Sequence, residues 1–293
     1  MNPDEGSTAY LDDAQRFRDA LGFTEARTGF SARLVEKDYY CSMILREFAG
    51  VLEQGLVFKG GTCLGKVHMS FYRLSEDLDF ALPMETSARR SDRRAKIEPF
   101  KGRFAALPAR LSRVRIADPL KGFNLSKQYI GRYSYRSVLT GDDESIKVEV
   151  SLREPVCDPT ERRPAHTMLL DPYRNAPAVA PISVTVLSFR EAYAEKFRAA
   201  LTRHGDPAIR DFYDIDHAVR AGKLDPTDGG FLGLVEQKLS VPGNDPIDVS
   251  EGKLTVLRRQ VEARLKPFLR TQDYEGFDLN RAFDLVARVA ESI

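Results

Sequence analysis

Cysteine is scarce in this chain: Cys41, Cys63 and Cys157 are its only three among 293 residues. Their number is odd, and their spacings match neither a zinc motif nor a disulfide framework, so a reducing, cytoplasmic setting is expected. Histidine is nearly as sparse. His68, His166, His204 and His217 lie far apart, which favours structural or solvated roles over metal ligation. Net charge is almost absent, +1, although 30% of residues are charged. The balance therefore names no partner, and any electrostatic preference must be local. No apolar run approaches the roughly 20 residues that span a bilayer, and no signal-peptide pattern opens the chain, so no membrane partner is expected. Internal repeats and low-complexity tracts are missing too. What remains is a chain long enough to bury a sizeable core, as one large or two modest domains.

The most informative stretch is Phe58-Lys59-Gly60-Gly61-Thr62-Cys63-Leu64-Gly65-Lys66, followed by Arg73-Leu74-Ser75-Glu76-Asp77-Leu78-Asp79-Phe80. Leu56, Val57 and Phe58 read as a short apolar strand. Gly60 and Gly61 allow a sharp turn and a close ligand approach, since neither carries a Cβ. Residues 62–72 read as a helix whose first amides face back toward the glycines, an arrangement suited to phosphate. Asp77 and Asp79 alternate with Leu78, so both carboxylates fall on one face of a strand. Side by side they repel unless a cation lies between them. Hard oxygen ligands of this kind suit Mg²⁺ held together with substrate phosphates.

Elsewhere the pattern is mixed. Residues 1–9 are polar and expected to be loose. A helix is expected over residues 11–21, with Phe17 and Leu21 inward. A stronger helix follows Ser31, its expected cap, with Leu34, Val35, Tyr39, Met43 and Phe48 on the apolar side. Its Glu36-Lys37-Asp38 cluster reads as a solvated face with local ion pairs rather than a substrate contact, Lys37 being the member to test. Residues 84–136 hold fourteen Lys or Arg against four acids, in a chain that is otherwise net negative. Such a segment suits a nucleic-acid backbone; a long solvated helix explains it equally well. Residues 129–139 and 146–150 read as a hairpin, with Tyr133 and Tyr135 on one face. Ile146, Val148 and Val150 alternate with Lys147 and Glu149. Glu149 is a wet-face acid unless it lies beside Asp77 and Asp79, where it would be a third metal ligand or a base.

Prolines crowd residues 154–186, which predicts an irregular connector and a domain boundary. Helices follow. Ser188 and Glu191 form a capping box, and that helix, carrying Glu195 and Lys196, is expected to reach about Arg203. The next contains Arg210-Asp211-Phe212-Tyr213-Asp214, with Asp211 and Asp214 on a shared face and Phe212, Ile215 and Val219 opposite. Further amphipathic helices are expected over 229–240, 252–268 and 279–292.

A Gly-Gly-Thr turn and helix, then the Asp77-x-Asp79 strand, then Val148-Glu149-Val150, resembles the polymerase-β-like nucleotidyltransferase pattern. More narrowly, four motifs in order resemble the AbiEii/MenT family of nucleotidyltransferase toxins. They are Lys59-Gly-Gly-Thr-x-Leu-x-Lys66, Arg73-x-Ser-x-Asp-x-Asp79, the Glu195-Lys196 helix and Arg210-Asp-x-x-Asp214. Glu36-Lys-Asp-Tyr-Tyr40 is similar to that family's first helix. The likeness covers about residues 30–220. It implies an α+β fold: a nucleotidyltransferase core with a small mixed sheet flanked by helices (residues 1–180), plus a C-terminal helical domain (181–293).

It also implies a toxin of a bacterial toxin–antitoxin system that transfers a nucleotide, CTP or UTP expected, to the 3′ end of tRNA and so stops translation. The partners implied are NTP, tRNA or other RNA, and a cognate antitoxin; the cofactor is Mg²⁺. By position, Asp77, Asp79, Lys196 and Asp211 would be catalytic, Asp77 and Asp79 holding the metal with Glu149 as the third carboxylate. Lys196 would contact the triphosphate and Asp211 would act near the base for the acceptor hydroxyl. Lys59, Gly60, Gly61, Thr62, Lys66 and Ser75 would line the nucleotide site, and Ser75 lies where some members are silenced by phosphorylation. A small-molecule or protein hydroxyl as acceptor, or a catalytically dead binding protein, are the alternatives that the residues leave open.

Overall fold

The structure is a computed structural model describing residues 10–52 and 54–293; the expectation for residues 1–9 lies outside the described residues. Two compact units partition the chain: the described residues up to Val156 with Thr160–Leu187, and Cys157–Pro159 with Ser188–Ile293. No helix among the described residues is long and apolar enough to cross a membrane.

In the first unit, helix α1 (Ala14–Thr28) starts at Asp13, whose carboxylate accepts from the Gln15 and Arg16 amides, and stops at Gly29 in the left-handed region. Residues 10–12 are helical as well, so the expected span is helical apart from a break at Asp13, and the helix runs further than expected. Helix α2 (Ala32–Glu47) is buried from Leu34 through Leu45. Ser31 makes no side-chain capping bond to it; the Ala32 amide donates instead to Glu25. The charge cluster is the larger surprise. Glu36, Lys37 and Asp38 are buried, not solvated, because each meets a partner brought from far along the chain.

The sheet has seven strands, β1 (Val57–Lys59), β2 (Leu78–Ala81), β3 (Val114–Phe123), β4 (Gln128–Arg136), β5 (Asp143–Ser151), β6 (Glu161–Ala165) and, after a two-stranded β7 (Leu170–Asp171) and β8 (Ala176–Pro177), β9 (Ile182–Val186). Its order is β3-β4-β5-β2-β1-β9-β6. It is mixed: β2 runs parallel to β5 and β1 to β9, and the other pairs are antiparallel. The proline-rich stretch is thus no irregular connector. Pro164 is accommodated because β6 is an edge strand, where a missing N–H costs no ladder bond.

One face of the sheet carries the core. Phe80 of β2 and Tyr133 of β4 meet Phe48 and, from helix α3 (Arg90–Arg110), Phe100 and Phe104. Phe104 and Tyr133 stack with ring centroids 4.3 Å apart. Strand alternation then leaves the intervening residues, Asp79, Lys147 and Glu149 among them, on the opposite face. The basic segment divides among α3, β3 and β4. Strand β3 is exposed along nearly its whole length, so neither face repeats an apolar period and its sequence signal is weak.

The second unit is helical. Helix α4 (Phe189–Thr202) is capped by Ser188, whose hydroxyl accepts from the Glu191 amide. Helix α5 (Ile209–Arg220), α6 (Gly229–Leu239), α7 (Glu251–Gln260) and α8 (Leu279–Ser292) follow; α6 and α8 match their expected spans within a residue, whereas α7 ends as an α-helix before its expected end. A π turn and a 3₁₀ turn continue α7 to Phe268. Arg281 holds Asp216 through two bonds of 2.7 and 3.0 Å, tying α8 to α5, and Phe212 stacks on Phe283 beside them.

Candidate active site

Gly60 opens a short helical turn (Gly60–Cys63) that widens into a π turn (Leu64–His68). The expected helix over 62–72 is therefore earlier and shorter. Gly60 has φ 77, and a Cβ there would collide with the Asp79 carboxylate and lie 2.9 Å from the Asp79 Cβ. A Cβ on Gly61 would lie 2.6 Å from the Arg73 guanidinium and 3.1 Å from Ser75 Oγ. The glycines are needed because the turn packs directly onto the aspartate segment. Lys59 pairs with Asp79 in the β1–β2 register, and Thr62 donates its hydroxyl to the Asp77 carbonyl at 2.5 Å. That bond fixes the turn to the strand and commits the Thr62 proton, which was expected to serve a phosphate.

Asp79 and Glu149 are register partners in the parallel β2–β5 pair. Asp77 precedes them on the same side. Between them stands Lys147, its Nζ 3.5 Å from Asp77 Oδ2 and 3.3 Å from Glu149 Oε2. Gln128 donates to the other Glu149 oxygen at 2.6 Å. Burial, with the charges of Glu149 and Asp77 added, pushes Asp79 up to about 6 against the opposing pull of Lys147 and Lys59. Burial works against the Lys147 ammonium, yet the fields of Asp79, Asp77 and Glu149 outweigh it and hold its pKa above the ordinary value. Three carboxylates against Lys147, with Lys59 also acting on Asp79, leave negative charge to be neutralised. The donors are all hard oxygens, a set that fits Mg²⁺ shared with substrate phosphates. Among the described residues no three such side chains converge tightly enough to hold a metal by themselves; the expected triple Asp77, Asp79 and Glu149 is spread around the Lys147 amine.

Lys66 is not brought to this face. It is buried, with Nζ 2.6 Å from Asp38 Oδ1, 2.7 Å from Ser42 Oγ and 3.4 Å from the His166 carbonyl. Its protons are spent holding the turn to α2 and to the His166 carbonyl, so its expected place at the nucleotide is corrected. The same helix supports the site twice more. Lys37 binds Glu76 at 2.9 Å and Glu144 at 3.5 Å, anchoring the loop that carries Ser75 and Asp77. Glu36 accepts from the Ser137 hydroxyl and the Val138 amide. Ser75 itself is half-buried.

In the second unit, Lys196 Nζ lies 2.7 Å from Asp211 Oδ1 and 2.9 Å from Asp214 Oδ2. Arg203 reaches Asp211 Oδ2 at 3.3 Å. Helices α4 and α5 thus bring together the Lys196, Asp211 and Asp214 that the sequence singled out. Glu195 turns elsewhere, 3.5 Å from Lys238, which also binds buried Glu191.

Sequence reading passed over Lys147 and Gln128. The signal for Lys147 was available, since it alternates with Val148 and so shares a face with Glu149; for Gln128 only the β4–β5 register reveals it.

Comparison with known proteins adds an independent finding. The family model described as nucleotidyl transferase AbiEii toxin of type IV toxin–antitoxin systems matches residues 44–289. Among solved structures, MenT4, a nucleotidyltransferase toxin from Mycobacterium tuberculosis, aligns with a TM-score of 0.55 at 19% identity, covering 98% of this chain and 90% of that one. JHP933 from Helicobacter pylori aligns with a TM-score of 0.53 at 14% identity, covering 89% and 92%. No curated protein sequence matches.

Proposed function

The chain belongs to the AbiEii family of nucleotidyltransferase toxins, and from that premise we propose that it transfers a nucleoside monophosphate from an NTP, CTP or UTP by expectation, to the 3′ end of tRNA, blocking translation. The observation that carries the reading is Asp79, packed against Gly60 and in register with Glu149. A phosphate-binding turn and a carboxylate face are thereby one structure. Asp77 and Asp79, with Glu149 beside them, would hold Mg²⁺. When bound, the ion supplies charge neutralisation for phosphoryl transfer and lowers the cost of the departing pyrophosphate.

The chain's own residues do the rest. The glycine turn offers backbone N–H groups to phosphate oxygens without side-chain obstruction. Lys147 offsets part of the carboxylate charge and can pair with phosphate once the carboxylates are neutralised. Lys196 is assigned to the triphosphate. Asp211, ion-paired with Lys196 and Arg203, is assigned to the proton of the acceptor hydroxyl. Ser75 is read as an off-switch: a phosphate on its Oγ would set about two negative charges against Asp77 and the Gly61 turn. An antitoxin is the implied partner.

The test is incubation with each labelled NTP and either total RNA or a panel of small acceptors, with and without Mg²⁺. Label entering tRNA 3′ ends from CTP or UTP, only with the metal, is the expected result. Label that enters small acceptors and never RNA would replace the tRNA reading. An Asp79→Ala protein as toxic as the parent would mark a binding protein instead.

A further inference from the structure

The second unit contains a cavity of about 320 Å³ that the carboxylate face does not use. Arg203, Asp206, Arg210, Gln260, Arg264 and Phe268 contribute to its walls. Three guanidinium groups therefore line it against one carboxylate. Asp206 is engaged by Arg264 at 2.6 Å and by Gln260 at 3.3 Å. Arg203 is drawn toward Asp211. Arg210 differs: its guanidinium lies 4.9 Å from the centroid of the Phe268 ring, and among the described residues no carboxylate pairs with it. The ring holds the guanidinium at the cavity wall, and a guanidinium with no carboxylate partner can take an oxyanion through two N–H groups.

The size is at the small end of ligand pockets and suits a single nucleotide. The charge suits one phosphodiester. A triphosphate would bring several negative charges into a cavity that already contains Asp206 and whose only uncommitted cation is Arg210. We propose that this cavity is a phosphate subsite for the acceptor strand, taking a backbone phosphate of single-stranded RNA with Arg210 as its principal contact. The proposal rests on the RNA-acceptor reading above. It also gives that reading a place in the second unit, because Arg203 links the cavity wall to Asp211, the residue assigned to the acceptor hydroxyl.

The experiment uses the full chain carrying Asp79→Asn, which prevents turnover. Affinity is measured for a short fluorescein-labelled single-stranded RNA and, separately, for CTP. Arg210→Met is expected to weaken RNA binding about tenfold, the worth of one charge-assisted contact, and to reduce the log–log salt slope by about 0.7. CTP affinity is expected to stay unchanged, and Arg210→Lys to recover part of the RNA affinity. Unchanged RNA binding, or a loss confined to CTP, overturns the proposal. Should Arg210→Met melt early, Arg264→Met is read in its place, with a several-fold loss of RNA affinity expected and an unchanged value overturning. If the parent binds no RNA, inorganic phosphate separates the two claims. A phosphate-induced rise in melting temperature that Arg210→Met removes keeps the anion site while the RNA-acceptor reading falls; an equal rise in both proteins overturns the site.

Discussion

Two clusters of acids and lysine invite comparison, Asp77–Asp79–Glu149 around Lys147 and Asp211–Asp214 around Lys196. In the first, three carboxylates share one half-exposed amine, at 3.3 to 3.5 Å where contacts form. In the second, two buried carboxylates meet Lys196 at 2.7 and 2.9 Å, and Arg203 adds a further cation. The first has more carboxylates than cations and is only partly buried. The second is balanced and enclosed. An unbalanced cluster that the fold nonetheless maintains is one that expects a cation from outside; a balanced one also serves stability.

The largest effect expected from this contrast is on catalysis. Asp79→Asn should lower nucleotide transfer at least about a thousandfold, measured as label incorporated per minute. The same change should stabilise the metal-free protein. Asp79 has a native pKa raised to about 6, so its ionised form costs stability above that pH. The gain in melting temperature is expected to be present at pH 8 and to vanish as the pH falls through 6 toward the ordinary aspartate range. No gain at pH 8 would mean that the charge is already neutralised in the parent.

Next in size is Lys196→Met, which leaves Asp211 and Asp214 buried with less compensation. A loss of about 3–5 kcal/mol in urea unfolding is expected. Adding Asp214→Asn should restore much of that stability while activity stays low; restored activity would show that Lys196 is structural only. Lys66→Met should cost stability on the same scale through buried Asp38, yet change the Mn²⁺ affinity of the folded protein little.

Lys147→Met is the smaller and sharper test. Its stability cost should be under about 1 kcal/mol, as for half-exposed ion pairs. Its Mn²⁺ affinity, by calorimetry, should rise several-fold, because a competing cation is gone. A fall in affinity would make Lys147 a support for the metal rather than its rival. Smallest is the thermal shift with Mg²⁺: a rise of a few degrees in the parent that Asp77→Asn abolishes.

Much of the fold could be read in advance where the signal is local. Ser188 with Glu191 marked the start of α4, and the alternation of Ile146, Val148 and Val150 marked β5. Gly60-Gly61 and Asp77-x-Asp79 announce a turn and an acid pair from the sequence alone. Long-range pairing hid the rest. Glu36, Lys37 and Asp38 look like a solvated run because their partners, Ser137, Glu76 and Lys66, lie from 28 to 101 residues away. Lys66, inside a phosphate-like motif, looked like a ligand contact until Asp38 and Ser42 claimed it.

By itself, then, the sequence determined the element types and the chemical inventory, since capping, alternation and glycine freedom act over a few residues. Only the tertiary structure decided which charges are spent and which remain. Lys66 and Lys147 carry the same ammonium, and nothing local separates them. One is buried against an aspartate that the fold brings to it; the other stands among three acids it cannot neutralise alone. That difference is set by strand register and helix packing, which place groups far apart in the chain within a few ångströms of each other.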